Sequence, residues 1–151
     1  VRATERHALK RNMGQVLVEQ IMSRDLRWVT PNTRREQAMA LLRRHRLRSL
    51  PVLDEKKRLV GIVSLIDLIS RPRGNNPFAP WRLGKRVLVG QLMSTPVRHI
   101  DSQMHVVELF PLLSSQGIHC LPVLAQGELV GIVTQTDLIA ALQRSLLERT
   151  G

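Results

Sequence analysis

Residues 59–69 read LVGIVSLIDLI, and residues 129–139 read LVGIVTQTDLI. One hydrophobic pattern, with a Ser or Thr and an Asp at fixed places, therefore occurs twice. In each copy a β-branched apolar run predicts a buried strand, and a short helical pattern follows it directly. An internal repeat of this kind decides the architecture of the whole chain.

The repeat extends outward from this stretch in two further blocks. Residues 49–53, SLPVL, return as CLPVL at 120–124, and residues 16–23, VLVEQIMS, return as VLVGQLMS at 87–94. The offset is 71 residues between Met22 and Met93 but 70 between Gly61 and Gly131, so one residue is lost in a turn. Three blocks that recur in the same order predict two homologous halves.

Local patterns predict the order β-α-β-β-α in each half and an α/β (α+β) fold. Thr33 is expected to open the first long helix, with Glu36 as its capping partner. A helix between the first two strands permits parallel pairing, and the polar turn at 54–58 makes the next pair an antiparallel hairpin. Pro111 lies inside a helical pattern and is expected to kink it. The predicted strands are 26–30, 50–53 and 59–63 in the first half, and 97–100 and 129–133 in the second. The last helix of the first half is predicted to begin at Ile66, and that of the second half to span 136–147.

The same patterns divide the chain into four segments. The first, 1–15, is a basic connecting segment, and the first repeat follows at 16–70. A linker rich in Pro, Gly and Asn covers 71–86, where Phe78 and Trp81 are expected to pin it to the body, and the second repeat covers 87–147. One repeat of about fifty residues buries little surface alone, so the two are expected to share a core.

The composition narrows the classes of function. The chain holds 23 Lys+Arg against 12 Asp+Glu, a formal net charge of +11. Such an excess attracts nucleotides, nucleic acid or an acidic membrane, although it also fits a solvated basic surface without a partner. Only 3% of the residues are aromatic, which argues against stacking on single-stranded nucleic acid.

Other chemistry has little support in the sequence. Cys120 is the single cysteine, so no internal disulfide forms, which agrees with a cytoplasmic location; we expect it to be a small buried residue. No run of apolar residues is long enough to span a bilayer. There is no metal-ligand spacing, glycine-rich phosphate loop or nucleophile motif, so we expect no enzyme, no metal and no required cofactor.

The ordered blocks resemble the CBS domain family, and the tandem pair is similar to a Bateman module over about residues 16–142. The resemblance implies two repeats packed with pseudo-twofold symmetry, clefts between them that bind AMP, ADP or ATP, and pairing of modules into a homodimer. Three features resemble the CBS tails of HPP-family bacterial membrane proteins: the basic connecting segment with Arg2, Arg6, Lys10 and Arg11, the Leu-Gly-Lys-Arg at 83–86 and the Arg-rich first helix. A membrane domain upstream, with this region on the cytoplasmic side, is then expected.

Two interpretations fit the residues at the end of each strand. Ser64 and Asp67, like Thr134 and Asp137, have the spacing of a helix cap with an acid in the first turn. In the resembled family the same positions bind ligand: the hydroxyl contacts a phosphate and the carboxylate takes the ribose hydroxyls. The spacing alone favours the cap, the resemblance favours the ligand, and both roles are compatible if they alternate between free and bound states.

The resemblance also implies an apolar slot for adenine. Leu50 and Leu121, each next to a strand proline, are expected to be core residues. Arg48 and His119 occupy matching positions in the two repeats and could contact phosphates. The alternative for Arg48 is an exposed side chain without a ligand. The remaining slot residues are Ile62 and Ile132, the residues before and at each strand proline, namely Leu47, Ser49, Pro51, Ile118, Cys120 and Pro122, and Leu26 and Val97, which close the slot.

Three functions remain open at this point. The first is a regulatory module that senses an adenosine nucleotide and controls an attached domain. The second is an assembly module in which dimerisation is the function and the Ser/Thr and Asp residues only cap helices. The third, nucleic-acid binding through the basic surface, has the weakest support.

Overall fold

The computed structural model describes residues 14–70, 86–115 and 120–150. It has the mixed α+β class expected from the sequence. The N-terminal 13 residues, most of the predicted linker with Phe78 and Trp81, and the predicted site residues Ile118 and His119 lie outside the described residues. The elements are α1 Val18–Ile21, α2 Arg35–His45, β1 Ser49–Leu53, β2 Leu59–Ser64, α3 Leu65–Ile69, β3 Ile100–Asp101, α4 Phe110–Ser115, β4 Cys120–Ala125, β5 Glu128–Thr134 and α5 Gln135–Thr150, with 3₁₀ helices at Val89–Gln91 and Val106–Leu109.

The two antiparallel hairpins are confirmed. Strand β1 pairs with β2, with a register shift between Val52 and Leu53, and β4 pairs with β5, with a register shift between Val123 and Leu124. In the first turn, Asp54 Oδ1 accepts hydrogen bonds from the backbone N–H groups of Lys56 at 2.9 Å and Arg58 at 2.8 Å. Its Oδ2 accepts from the Arg58 side chain at 2.8 Å. The Arg58 backbone N–H is the main reason that the pKa of Asp54 lies below its ordinary 3.8; partial burial opposes this shift.

The first strand of each half is shorter than predicted. In place of a strand at 26–30 there is a single parallel bridge between Val29 and Val52. Its bonds run from Val29 N to the Pro51 carbonyl at 3.0 Å and from Leu53 N to the Val29 carbonyl at 2.9 Å. Pro31 follows without an N–H group to continue the ladder. In the second half only Ile100–Asp101 is a strand, parallel to β4. The predicted parallel orientation is thus confirmed, but the length is wrong.

One helix prediction needs correction, and one is confirmed. Helix α2 begins at Arg35 because the Thr33 hydroxyl accepts from Thr30 N at 3.0 Å and so closes the preceding turn. Gln37, not Glu36, accepts from the N–H of residue 34, at 3.1 Å. The expected break near Pro111 is present, since a 3₁₀ helix ends at residue 109 and α4 begins at residue 110. Pro111 has no N–H to donate to the carbonyl of residue 107, which a continuous α-helix would require.

The chain forms two compact units whose limits differ from those of the repeats in sequence. One, here called the continuous unit, is Arg27–Val97; the other, the split unit, combines Val1–Leu26 with Arg98–Gly151. Each unit has its own hydrophobic core.

The first block of each repeat, residues 16–23 and residues 87–94, is here called its lead segment, and each core includes the lead segment of the opposite repeat. In the split unit, Val18 and Ile21 from the start of the chain pack in one cluster with Leu121 and Val133 of the second repeat. In the continuous unit, Leu92 of the second lead segment is buried in a cluster that also holds Leu50 and Val63. The two lead segments are therefore exchanged between repeats.

The repeated Met-Ser pair holds each lead segment in place. In the continuous unit, Ser94 N donates to the Ile62 carbonyl at 2.8 Å, and Ile62 N donates to the Ser94 carbonyl at 3.2 Å. Met93 lies over Gly61 so closely that a Cβ there would be 2.5 Å from its Sδ. A larger residue at position 61 would have to displace this sulfur.

The split unit repeats the arrangement. Ser23 N donates to the Ile132 carbonyl at 2.8 Å, and Ile132 N donates back at 3.0 Å. A Cβ on Gly131 would be 2.5 Å from Met22 Sδ and 3.0 Å from the Ser23 carbonyl oxygen. The Met-Ser block and the Gly-Ile block of the sequence are thus the two sides of one contact.

Candidate ligand-binding corners

The first corner lies in the continuous unit, where β2 ends at Ser64 and α3 begins. Asp67 Oδ2 accepts from Ser64 N at 2.8 Å and from Ser64 Oγ at 3.0 Å. The backbone N–H of Asp67 donates to Ser64 Oγ at 3.2 Å. These bonds form a closed helix cap, so the cap interpretation of this pair is confirmed.

The second corner has the same bonds in the split unit, between β5 and α5. Asp137 Oδ2 accepts from Thr134 N at 2.9 Å and from Thr134 Oγ1 at 3.1 Å. The Asp137 N–H donates to Thr134 Oγ1 at 3.3 Å. The two sequence blocks therefore build the same local structure twice.

Each cap leaves one carboxylate oxygen available. All of the side-chain bonds accepted by Asp67 and Asp137 end on Oδ2. Within the parts of the chain that the structure describes, no partner for either Oδ1 atom is present, and both side chains are half-buried. An ionised carboxylate has several acceptor sites, so each Asp can cap its helix and still accept hydrogen bonds from another group.

Several predicted site residues surround the first corner. Ser49 lies directly opposite Ser64 in the hairpin. The Arg48 carbonyl accepts from Leu65 N at 3.4 Å, so Arg48 adjoins the first residue of α3. The Arg48 side chain is exposed and Leu47 is 36% exposed. The structure thus brings Arg48 and Ser49 to the first corner, and the Arg48 side chain faces solvent.

Around the second corner, Cys120 lies opposite Thr134 in the hairpin. It is half-buried, not fully buried as the sequence suggested, because it is the first residue of β4 and only the residues after it enter the core.

The remaining slot residues fall into two groups. Ile62 and Ile132 are half-buried, and their backbones are held by the lead segments. Pro51 and Pro122 are buried inside β1 and β4. The prediction that the neighbouring Leu50 and Leu121 are core residues is confirmed, since both are 0% exposed.

The structure also assigns the two closing residues to units. Leu26, half-buried, belongs to the split unit with Thr134 and Asp137, whereas Val97, also half-buried, belongs to the continuous unit with the Ser64 corner. Sequence reasoning did not identify Ser23 and Ser94, whose backbones pair with the isoleucines. The repeated Met-Ser block was the available signal for them.

A surface groove of about 600 Å³ lies beside β3 and the turn after β4. Its polar lining residues are Arg98, His99 and Asp101, and none of the predicted site residues lines it. Opposite charges on an exposed rim do not indicate one class of ligand.

The described residues hold neither a group of metal ligands nor a membrane-spanning helix. Across 14–70, 86–115 and 120–150, no three His, Cys, Asp or Glu side chains are grouped as metal ligands. In the same ranges no helix combines the length and apolar character that crossing a membrane requires.

Comparison with known proteins agrees with the repeated architecture. The profile of the CBS domain matches residues 18–74 and again 89–144. A CBS domain-containing protein of Dictyostelium discoideum is 34% identical over 139 residues, covering 87% of this chain and 94% of its own length. An uncharacterised protein of Methanopyrus kandleri is 29% identical over 130 residues, covering 84% of this chain, which spans only 63% of that protein.

Among solved structures, CBSX2 of Arabidopsis thaliana in complex with AMP superposes with a TM-score of 0.71 and 27% identity. The match covers 85% of this chain and 96% of that one. The family profile accounts for both repeats and together with these likenesses covers most of the sequence. The chain is a tandem pair of CBS domains and belongs to the CBS domain family.

Proposed function

We propose that this chain is a regulatory module that binds an adenosine nucleotide, AMP, ADP or ATP, and carries out no catalysis itself. The observation that carries the proposal is the open Oδ1 atom of Asp67 and of Asp137, at matching corners of the two units. The AMP complex of the similar protein CBSX2 supports the class of ligand.

The chemistry of the corners suits a nucleotide. A carboxylate accepts hydrogen bonds and can take the two hydroxyls of a ribose, and Oδ1 is available for them without loss of the cap. The hydroxyls of Ser64 and Thr134 can turn towards a phosphate, as can the exposed Arg48 side chain. The half-buried Ile62 and Ile132, in the cleft expected between the repeats, would supply apolar surface for the base.

The output of the module is a further part of the proposal. A ligand that binds one arrangement of the two units better than another shifts the population towards it, and an attached domain can respond. We propose that this domain is membrane-embedded and that the module pairs as a homodimer; the basic segment at residues 2–11 supports the former. The parent gene's sequence tests the membrane domain, which requires a hydrophobic span of about 20 residues.

The second candidate function is assembly without a ligand. It is favoured by one observation: in both corners the Asp carboxylate and the Ser or Thr hydroxyl are bonded to each other and to the backbone at the start of the helix, which is the whole of a capping role. On this alternative the Asp residues matter only for folding, and dimerisation is the activity of the module.

A thermal-shift titration with AMP, ADP and ATP at millimolar concentration separates the two functions. We expect at least one nucleotide to raise the melting temperature, and Asp67→Ala or Asp137→Ala to reduce the shift. Inosine monophosphate serves as a matched control, since it keeps the ribose and phosphate and alters the base. No shift with any adenosine nucleotide would favour the assembly function.

A further inference from the structure

We infer that the first corner prefers a nucleotide with a chain of phosphates, of the nucleoside triphosphate class, and that the second corner lacks this preference. The inference rests on the nucleotide function proposed above and adds how each corner responds to the number of phosphates. It is carried by four arginines of the first repeat, here called the arginine cluster: Arg43, Arg44, Arg46 and Arg48.

The two repeats differ sharply in the stretch that leads into the Leu-Pro-Val strand. Residues 43–49 read RRHRLRS, and with the offset of 71 the second repeat has SSQGIHC at 114–120. The strand that follows is otherwise the same, so the two stretches occupy equivalent places in the repeats. Two serines, a glycine and a histidine therefore stand in the second repeat where the first has arginine.

The net charge of the chain lies in the unit that carries the arginine cluster. The continuous unit, 27–97, holds fifteen Lys and Arg against four Asp and Glu, an excess equal to the formal net charge of +11. The split unit, 1–26 with 98–151, holds eight against eight. An anion is therefore attracted to the continuous unit more than to the split unit.

The backbone brings the arginine cluster to the first corner. Directly after α2, Arg46 turns the chain with a left-handed φ of 53°. Two residues later the Arg48 carbonyl accepts from the N–H of Leu65, the first residue of α3, at 3.4 Å. The next residue, Ser49, lies opposite Ser64 in the hairpin. The cluster thus occupies the short connection between the end of α2 and the corner.

The charge of the cluster is not neutralised within the continuous unit. All four arginines are exposed, and across 14–70, 86–115 and 120–150 none of their guanidinium groups is bonded to a protein acceptor. Three of the four acids of the unit lie elsewhere: Glu36 contacts Arg35 at the start of α2, and Asp54 and Glu55 lie in the hairpin turn. The fourth is Asp67 of the corner itself.

Stabilisation of helix α2 accounts for only part of the cluster. Cations in the last turn of a helix interact favourably with its dipole, which explains Arg43 and Arg44. Arg46 and Arg48 lie after the last turn. Helix α4 ends at Ser115 without a basic residue in its last turn, so the fold itself does not require arginine at this place.

A chain of phosphates suits this cluster better than a single phosphate. A guanidinium group is always charged in proteins, and its planar fork matches a phosphate with two parallel hydrogen bonds. Every further phosphate adds negative charge and acceptor oxygens, so a triphosphate can engage several arginines together. A ribose bound at Asp67 would hold those phosphates beside the cluster, because both adjoin the same corner.

Calorimetric titration with ATP and AMP measures the preference of each corner. In Asp137→Asn, which leaves the first corner intact, we expect ATP to bind at least about tenfold more tightly than AMP, the effect of one additional charged hydrogen bond. In Asp67→Asn, which leaves the second corner intact, the two nucleotides should bind with similar affinity. A stronger ATP preference in Asp67→Asn than in Asp137→Asn would contradict the inference.

Two double variants test the arginines themselves. In the Asp137→Asn protein, Arg46→Gln with Arg48→Gln should bring the affinity for ATP close to that for AMP. The matched control, Lys56→Gln with Lys57→Gln, removes the same charge from the turn at the far end of the hairpin and should preserve the ATP preference. All four side chains are exposed, and urea denaturation checks that both variants remain folded.

The outcomes separate this inference from the function on which it rests. An ATP preference that survives in the arginine variant, or that falls equally in the lysine control, contradicts the inference and leaves nucleotide binding in place. If the arginine variant instead loses affinity for a single-stranded RNA oligonucleotide while its ATP preference is unchanged, the cluster serves nucleic acid and the inference is wrong. Failure of the original protein to bind either nucleotide removes both proposals.

Discussion

At the scale of single residues, Ser64 and Thr134 join the end of a strand to the start of a helix. Each hydroxyl accepts the N–H of the Asp three residues later and donates to its carboxylate. The sequence predicted these caps correctly because the spacing alone determines them. It could not show that one carboxylate oxygen remains open, since that depends on whether the cap bonds end on one oxygen or on both.

Removal of either cap hydroxyl should destabilise the protein. Ser64→Ala or Thr134→Ala is expected to lower the free energy of unfolding by about 1 kcal/mol, measured by urea denaturation. The repeats provide the control, because Ser64→Thr and Thr134→Ser exchange the two natural residues and should leave stability nearly unchanged. An alanine variant as stable as the original would show that the caps contribute little.

The lowered pKa of Asp54 predicts how the stability of the protein depends on pH. Its pKa in the folded protein lies below the ordinary 3.8, chiefly because the Arg58 N–H donates to it. The contribution of ionised Asp54 to the free energy of unfolding is therefore present above pH 3.8 and is lost as the pH falls through its lowered pKa.

Asp54→Asn should accordingly be destabilising at neutral pH and become neutral in strong acid. Urea denaturation at a series of pH values measures this difference. Glu55→Gln, in the same turn, removes a charge without these hydrogen bonds and should show a smaller effect at neutral pH. A penalty for Asp54→Asn that persists unchanged below the lowered pKa would contradict the assignment.

At the scale of elements, the lead segments dock on the last strand of each hairpin through a Met over a Gly. At Gly61 an added Cβ meets only the Met93 side chain, which can move. At Gly131 it also meets the Ser23 carbonyl oxygen at 3.0 Å, and this backbone is held by two hydrogen bonds to Ile132.

Gly131→Ala should therefore cost more stability than Gly61→Ala. Overpacking of this kind costs about 1–3 kcal/mol, with Gly131→Ala at the upper end. Chemical denaturation measures both variants. Met93→Ala combined with Gly61→Ala should recover part of the loss as a coupling energy; strict additivity of the two changes would argue against this contact.

The hairpins were the elements best predicted from sequence, because alternating strands around a polar turn specify their own partner. The first strands were predicted less well. Pro31 ends the ladder after Val29, and a preference for β structure at residues 26–30 does not supply hydrogen-bond partners. The start of α2 shifted because the Thr33 hydroxyl is used by Thr30. These errors come from tertiary and turn contacts that local patterns do not contain.

At the scale of the whole molecule, the exchange of lead segments could not be read from the sequence at all. Two repeats with similar lead segments are compatible with each segment packing on its own repeat or on the other. The structure has Leu92, which is 4% exposed, in the core of the continuous unit, although it belongs to the second repeat in sequence.

Amide hydrogen exchange tests whether each lead segment packs on the opposite repeat. Leu92→Ala should cost about 2–5 kcal/mol and accelerate amide exchange mainly in the first repeat, at residues 27–70. Ile21→Ala should instead accelerate exchange in the second repeat, at residues 98–150. The opposite pattern, in which each variant loosens its own repeat, would contradict the exchanged architecture.

The ligand proposal is tested most directly by calorimetric titration of AMP into the original protein and into the double variant Asp67→Asn, Asp137→Asn. Asparagine keeps one oxygen for the cap but presents an N–H₂ donor where a ribose hydroxyl needs an acceptor. We predict that the double variant loses no more than about 1 kcal/mol of its free energy of unfolding at each cap, and so stays folded, yet binds AMP at least about tenfold more weakly. Equal AMP affinity in the two proteins would contradict the assignment of these carboxylates to a nucleotide.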